Sequence, residues 1–227
     1  MDQPAARHPA PATAPESGVA ARRPRGRPRK TVDERDDGNR RVELVRAAAK
    51  LFRRKGFDAT STRDIAAAVG MRSGSPFYHF KSKGVLLYAV MEEGMRAAIL
   101  KQRQTLEKHE HESANPRGLL AVLIRNHFDV LLGPGSDFIP VMLYESRAIT
   151  ARQRATLAAL QGEYEAPWEP VLQALHRSGQ LQADVKLARL LMFGALNWSV
   201  QWFDRRKGAS LDELTDAALA LFTRDLP

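Results

Sequence analysis

The sequence predicts an all-α protein, with a small three-helix unit near the N-terminus followed by a bundle of six helices or a similar number. Three observations favour this fold class. Apolar residues recur at intervals of three and four, residues typical of helix ends separate these segments, and no stretch alternates apolar and polar residues as a half-buried strand would. With 227 residues, 44% of them hydrophobic, the chain can bury a sizeable core in one or two domains.

The first 38 residues are rich in Ala, Pro and Arg and contain few large apolar side chains. Such a segment cannot bury enough apolar surface to offset its chain entropy, so we predict a disordered basic arm over residues 1–38. Within it, residues 22–30 read RRPRGRPRK and resemble an AT-hook. Gly26 would let the backbone approach the floor of the minor groove, where Arg25 and Arg27 extend towards A·T acceptors. A generic basic arm that touches only phosphates is the alternative interpretation.

The three-helix unit is predicted over residues 39–83. Its first helix, from about residue 40 to 55, stops at Gly56, after which Phe57 is placed to pack on Phe52. The second helix begins at Thr60 or Ser61, and Ser61 has the spacing of a capping box with Asp64. The inward stripe of the first helix consists of Leu44, Val45, Ala48, Leu51 and Phe52.

A glycine turn at Gly70 separates the second helix from a third, which begins at Arg72 or Ser73 with Pro76 in its first turn. Two short helices joined in this way form the helix-turn-helix pattern, whose second helix enters the major groove of DNA. The charge distribution agrees: the chain carries 19 Lys/Arg against 9 Asp/Glu up to Lys83, and 16 against 17 after it. A basic field of this kind attracts phosphates, so double-stranded DNA is the predicted partner.

The chain from about residue 40 to 90 resembles the TetR family of bacterial repressors. The resemblance rests on the Gly-Phe helix stop, the Thr-Ser cap, Gly70 and the run FYHFKSK from Phe77 to Lys83. It implies a homodimer in which each subunit has a DNA-binding head and, over residues 84–227, a helical domain for ligand binding and dimerisation. The implied function is a ligand-responsive repressor that binds a palindromic operator and is released by a small-molecule effector.

The resemblance also implies DNA contacts in and around the helix-turn-helix. The residues that it places near base edges are Arg72, Ser73, Gly74 and Phe77. Those that it places near phosphates are Thr60, Ser61, Ser75, Tyr78, His79 and Lys83. Arg72 departs from the family pattern, which has Ser there, and Pro76 replaces a usual Leu. We interpret Arg72 either as a displaced helix cap or as a reader of guanine.

Long amphipathic helices are predicted in the rest of the chain, over about residues 83–109, 116–132, 138–148, 151–177, 185–203 and 211–223. Their starts are marked by Asn115, by the Thr150–Gln153 and Ser210–Glu213 capping boxes and by Asp184. Pro167 and Pro170 are expected to kink or break the helix over residues 151–177. The prediction is therefore a helical bundle attached to a basic head.

The last two helices carry apolar faces suited to a partner subunit, since a four-helix bundle built from two copies would bury both. The predicted dimer residues are Leu187, Leu191, Gly194, Trp198, Leu214, Ala218 and Leu221. Gly194 is small enough for close approach of the two helices. Packing within a single chain is the alternative explanation of these faces.

The bundle also offers large apolar side chains consistent with an effector cavity. The predicted lining residues are Met91, Met95, Phe128, Met142, Tyr144, Glu145, Trp168 and Trp198. Glu145 would either orient a polar group of the effector or pair with Arg147 on the surface. The segment GALNW that ends at Trp198, together with Trp202, resembles regulators of fatty-acid and related acyl-CoA catabolism. The implied effector is an acyl-CoA or another apolar metabolite.

Other classes of function lack the residues that they need. The chain has no cysteine, no nucleophile elbow, no phosphate-binding Gly-rich loop and no zinc motif, so we expect neither an enzyme nor a bound cofactor or metal. The HEHE run at residues 109–112 is interpreted as a solvated helix end. We expect a cytoplasmic protein without a membrane span. An architectural protein that covers A·T-rich DNA through the hook-like arm is the alternative function.

Overall fold

A computed structural model describes residues 32–71 and 76–224, with all their side chains except those of residues 32–38, 77, 112 and 113. Regular secondary structure in these ranges is helical, as predicted. The α-helices are α1 (Val32–Lys55), α2 (Thr62–Ala68), α3 (Pro76–His79), α4 (Lys83–Lys108), α5 (Pro116–Leu132), α6 (Phe138–Glu145), α7 (Ala151–Glu165), α8 (Trp168–Arg177), α9 (Val185–Trp202) and α10 (Leu211–Phe222). Among these helices, none is long and apolar enough to cross a membrane.

Helix α1 begins at Val32, earlier than the start predicted near residue 40. The hook-like segment with Arg25, Gly26 and Arg27 lies outside the described residues. So do Arg72, Ser73, Gly74, Ser75 and the side chain of Phe77.

The head is built from α1, α2 and α3, which pack around one apolar core. Its buried side chains include Leu44, Val45, Ala48, Phe52, Ile65 and Phe80. Helix α1 ends at Gly56, whose φ of 83° lies in the left-handed region that glycine adopts without strain. The ring of Phe57 then packs 5.5 Å from that of Phe52, and the capping box of Ser61 with Asp64 is formed, which confirms both predictions.

Lys83, the first residue of α4, joins the head to the bundle. Its ammonium donates hydrogen bonds to the carbonyl oxygens of Phe57 at 2.8 Å and Thr60 at 2.9 Å, and it lies 4.2 Å from the centre of the Phe57 ring. A cation over an aromatic face is attracted by the negative charge of that face. The loop between α1 and α2 is therefore held in place from the side of the bundle.

Helices α4 to α10 form the bundle, and α4 connects its parts because it packs against α1, α5, α6 and α7. The predicted break at the prolines is confirmed: Pro167 lies between α7 and α8. Pro170 is the third residue of α8, where a missing N–H removes no helical hydrogen bond. Helix α6 ends at Glu145, and Ser146–Ala148 continue as a 3₁₀ turn. The caps at Asn115, Thr150, Asp184 and Ser210 all form as predicted.

A buried polar cluster interrupts the apolar core where α5, α7 and α9 meet. The Nδ1 atom of His127 lies 3.0 Å from the hydroxyl of Tyr164, and its Nε2 atom lies 3.2 Å from Oδ1 of Asn197. Burial lowers the pKa of His127 to about 4, so the ring is neutral at pH 7. Nε2–H therefore donates to Asn197, and Nδ1 accepts from Tyr164, whose pKa burial raises well above its ordinary value.

We expect His127 to make the stability of the fold depend on pH. As the pH falls below about 6.5, the unfolded chain binds the proton first, so stability is lost progressively down to about pH 4. The shift corresponds to a loss of roughly 3 kcal/mol in the free energy of unfolding. Replacing His127 by Gln should lower stability at pH 7 but weaken its pH dependence in this range. Urea unfolding at a fixed protein concentration measures both effects.

The exposed His111 offers a matched control, because His111→Gln removes an imidazole outside the core. That variant should keep the slope of the wild-type protein between pH 6.5 and pH 4. A His127→Gln variant with the wild-type slope would contradict the assignment of a neutral buried ring.

Candidate DNA-binding head and effector cavity

Tyr78 and His79 lie side by side on α3, the described part of the predicted recognition helix. Tyr78 is 79% exposed, and the centres of the two rings are 5.3 Å apart in an edge-on arrangement. Ser61 is also exposed, but its hydroxyl is engaged in the capping box at the start of α2. An exposed phenol beside an imidazole supplies hydrogen-bond donors of the kind that contact phosphate oxygens.

Two of the predicted phosphate contacts have other roles in the structure. Thr60 is fully buried, and its hydroxyl donates to the carbonyl of Gly56 at 2.8 Å, so a phosphate cannot reach it. The ammonium of Lys83 is engaged by the carbonyls of the α1–α2 loop, and a phosphate contact would have to break those bonds. Both predictions are therefore corrected, because the side chains close a loop inside the head.

Arg63, the second residue of α2, is a candidate that the sequence analysis missed. Its side chain is exposed next to the cap of α2. A cation in the first turn of a helix is unfavourable, because the partial charge at that end is also positive. A phosphate placed there would offset this repulsion. The signal was available in the sequence as a basic residue two positions after Ser61, the cap of α2.

A cavity of about 300 Å³ lies among α4, α5, α6, α7 and α9. Its apolar walls are formed by Met95, Ala98, Val130, Ile139, Met142, Leu143, Leu157, Ala158 and Phe193. Polar side chains also reach it, namely those of His127, Ser146, Arg154, Gln161, Tyr164, Glu165 and Asn197. A largely apolar cavity with a few convergent polar groups is typical of a site for a small organic ligand.

Only some of the predicted lining residues line this cavity. Met95 and Met142 line it. Met91, Phe128 and Trp168 are buried in the core outside its wall. The indole N–H of Trp168 lies 3.0 Å from the Gln102 amide, with the amide oriented so that its oxygen accepts. These three predicted residues therefore fill the core and do not line this cavity.

Three further predicted lining residues lie elsewhere. Tyr144 and Glu145 face a groove beside the head, and Trp198 is 61% exposed on the outer face of α9. Instead, the cavity contains His127 and Asn197, which the sequence analysis did not select. Their signal was a polar residue inside an otherwise apolar stretch, at a position that the helical period directs inward.

Two charged side chains reach the edge of the cavity. Glu165 forms an ion pair with Arg189, so its charge is largely balanced. Arg154 is exposed, and its Nη1 donates to the carbonyl of Ile149. No carboxylate in residues 32–71 and 76–224 is found paired with Arg154, so the guanidinium leaves a positive charge at the opening.

Helix α6 lies between the cavity and the head. Met142 faces the cavity, whereas the carboxylate of Glu145 accepts a hydrogen bond from the backbone N–H of Phe57 at 2.8 Å. At the other end of α6, Asp137 forms an ion pair with Arg53 of α1 at 3.1 Å. The same short helix therefore contacts both the ligand cavity and the DNA-binding head.

The outer face of α9 is apolar and exposed, as an interface with a partner would require. Leu187, Leu191 and Trp198 are 58%, 67% and 61% exposed, and Leu221 of α10 is 83% exposed. Gly194 lies on the same face, and a Cβ built on it would have no neighbour within 4 Å. Exposed apolar surface of this extent marks an interaction site in soluble proteins.

Two of the predicted dimer residues belong to the core of their own chain. Ala218 is buried, and Leu214 packs against the same core cluster. Helix α10 turns this side towards α5 and α9. These two residues therefore pack at least partly within their own chain, because both sides of α10 are apolar and the sequence does not reveal which one faces inward.

Family models match both parts of the chain. Residues 44–90 match the model described as "Bacterial regulatory proteins, tetR family", and residues 113–226 match "Tetracyclin repressor-like, C-terminal domain". The first range contains the helix-turn-helix, and the second contains α5 to α10. Together they cover most of the head and most of the bundle.

Individual relatives resemble the chain over most of its length. The transcriptional repressor KstR2 of Rhodococcus jostii is 27% identical over 192 residues, which cover 83% of this chain and 92% of the relative. The crystal structure of the TetR family regulator PfmR from Thermus thermophilus is 26% identical, with a TM-score of 0.69 and coverage of 81% and 98%. That of the superantigen PfiT is 38% identical, with a TM-score of 0.66 and coverage of 82% and 96%. The chain therefore belongs to the tetR family of bacterial regulatory proteins.

Proposed function

We propose that this chain is a transcriptional repressor that binds operator DNA as a homodimer and releases it when a small apolar effector fills the cavity. One observation carries the proposal: α6 forms a wall of the cavity and is bonded to the head through Glu145 and Phe57. The relative from Rhodococcus jostii is named a transcriptional repressor, and its similarity extends over both domains. This similarity supports repression as the outcome of DNA binding.

A homodimer follows from the apolar outer face of α9. Two copies that pack through Leu187, Leu191 and Trp198 would bury side chains that a monomer leaves in water. A twofold axis through this contact presents two heads to one duplex. Recognition helices in such dimers enter successive major grooves, roughly 34–36 Å apart, and the operator is therefore expected to be palindromic.

The cavity favours an effector with an apolar body, a hydrogen-bonding group and an anionic tail. Met95 and Phe193 belong to the apolar wall, and Asn197 offers an amide beside it. Arg154 at the opening suits a phosphate or carboxylate that stays outside. An acyl-CoA combines these features, and another apolar metabolite with an anionic tail is the alternative.

Effector binding would act by favouring one of two positions of the head. Suppose that the effector fits only when α6 moves outward. The protein then binds it more tightly in the head position in which the Glu145–Phe57 hydrogen bond and the Arg53–Asp137 ion pair have moved with α6. By linkage, the same effector lowers the affinity of the dimer for an operator of fixed spacing. A ligand that binds both positions equally would release nothing.

Selection of bound duplexes from a random-sequence pool tests DNA recognition directly. We expect a palindromic operator, and Tyr78→Ala should lower the affinity for every duplex and reduce its dependence on salt. Tyr78→Phe separates the hydroxyl from the ring as the cause. Affinities are measured by fluorescence anisotropy. Unsymmetrical A·T-rich sequences in the selected pool would refute the repressor, and unchanged binding by Tyr78→Ala would refute the docking face.

Calorimetric titration of short and branched acyl-CoA thioesters tests the class of effector. Arg154→Gln should weaken their binding about tenfold or more, because it removes a charge-assisted contact with the anionic tail. Neutral esters with the same acyl groups should bind this variant as they bind the wild type. Arg152→Gln is the control, since Arg152 is exposed on the same helix but does not line the cavity. Equal weakening of neutral and anionic ligands would contradict the role of Arg154.

Glu145→Ala tests the route from cavity to head. The variant should still bind the effector, but the effector should weaken operator binding by a smaller factor, because α6 has lost its bond to Phe57. The ratio of operator affinities with and without a saturating effector measures this coupling. Glu163→Ala is the control, since Glu163 is exposed on α7 and pairs only weakly with Arg103, at 3.5 Å. A coupling ratio equal to that of the wild type would exclude this route.

A further inference from the structure

Seven basic side chains of α1 are described, and four of them are matched by a carboxylate. Three of the matched side chains form ion pairs with residues outside α1, and one forms an ion pair within α1 itself. The pairs are Arg40–Glu43 at 3.6 Å, Arg41–Glu93 at 2.5 Å, Arg53–Asp137 at 3.1 Å and Lys55–Asp64 at 3.6 Å. These contacts hold α1 against α2, α4 and α6.

Three basic residues of α1 differ from this pattern, and we call Arg46, Lys50 and Arg54 the α1 basic row. All three are exposed, and no carboxylate of the described residues forms an ion pair with them. Their spacing of four places them in one line along the helix. Like charges at this spacing destabilise a helix by a few tenths of a kcal/mol, so the row disfavours α1 unless an anion lies beside it.

The α1 basic row forms one wall of an open groove on the head. The other wall is formed by Ala68 and Val69, at the end of α2. This end of α2 leads through Gly70 into the recognition helix, so the row lies beside the helix-turn-helix without belonging to it. Glu43 also lines the groove but is paired with Arg40, so the groove as a whole is basic.

We propose that the α1 basic row is a second phosphate-binding surface, which contacts duplex DNA without reading its sequence. The inference rests on the proposed DNA-binding function. From Arg46 to Arg54 the helix rises about 12 Å, at roughly 1.5 Å per residue. This length matches three to four nucleotides of one strand, at about 3.4 Å each. The row can therefore follow a strand of the backbone rather than meet a single phosphate.

The sequence before α1 is also basic. Residues 22–30 contain six Lys or Arg residues and precede α1 along the chain. Two successive basic segments favour DNA over an acidic protein as the partner, because a duplex offers phosphates over a long distance.

A triple variant, Arg46→Gln, Lys50→Gln and Arg54→Gln, tests the proposal. Glutamine removes the charges and keeps good helix propensity, and circular dichroism checks the fold. Affinity is measured as a function of salt on the selected operator and on a mixed-sequence duplex of equal length. The variant should bind both duplexes more weakly by the same factor, and the salt slope should fall by about 0.9 for each phosphate that the variant no longer neutralises.

A second triple variant controls for the loss of net charge. The three residues to replace are exposed, namely Arg177, Lys186 and Arg224. Lys186 lies at the start of α9. The opposite end of α9 is the one near the head, since Val200 and Gln201 line the groove there. Replacing these three by Gln removes the same charge at the end of the bundle away from the DNA. This control should keep the wild-type affinities and salt slopes.

Two results would overturn the proposal. Wild-type affinity of the row variant on both duplexes would show that the row does not touch DNA. Loss of affinity for the operator alone would show that the row contributes to sequence recognition. Failure of the proposed function gives a different result from failure of this inference. If the wild-type protein prefers no operator, the repressor is refuted, but binding to the mixed-sequence duplex still tests the α1 basic row.

Discussion

The hydrogen bond that the carboxylate of Glu145 accepts from the backbone N–H of Phe57 is one of the contacts that orient the head on the bundle. It is made by the last residue of α6, a helix whose other side encloses the cavity. The apolar core is continuous from head to bundle, so the two parts are not independent domains joined by a linker. Under the proposed mechanism, a change in the cavity would reach the head through packed helices rather than through a flexible connection.

The polar cluster of His127, Tyr164 and Asn197 places a second constraint on the bundle. Buried polar groups cost free energy unless they find hydrogen-bond partners, and a satisfied cluster specifies one packing of the helices that supply it. Here the three residues come from α5, α7 and α9, so their hydrogen bonds fix how these helices pack around the cavity. The apolar wall can then vary in shape while its polar corner stays in place.

Much of the fold is predictable from local sequence, because helix ends depend on a few nearby residues. The capping boxes at Thr150 and Ser210 and the break at Pro167 follow from chemistry within one turn. The cavity is less predictable, since the helical period identifies an apolar side without identifying what packs against it. Trp198 was therefore predicted to line the cavity but is exposed, whereas His127 lines the cavity and was not selected. Lys83 was assigned to phosphate through the family resemblance, and its bonds to the loop carbonyls could not be predicted because they depend on tertiary structure.

The ammonium of Lys83 secures the α1–α2 loop from behind, independently of the side chains that α3 turns outward. The shape of the head is thus separated from the identity of its reading surface. A substitution of an outward side chain of α3, such as Tyr78, therefore leaves the hydrogen bonds that close this loop in place.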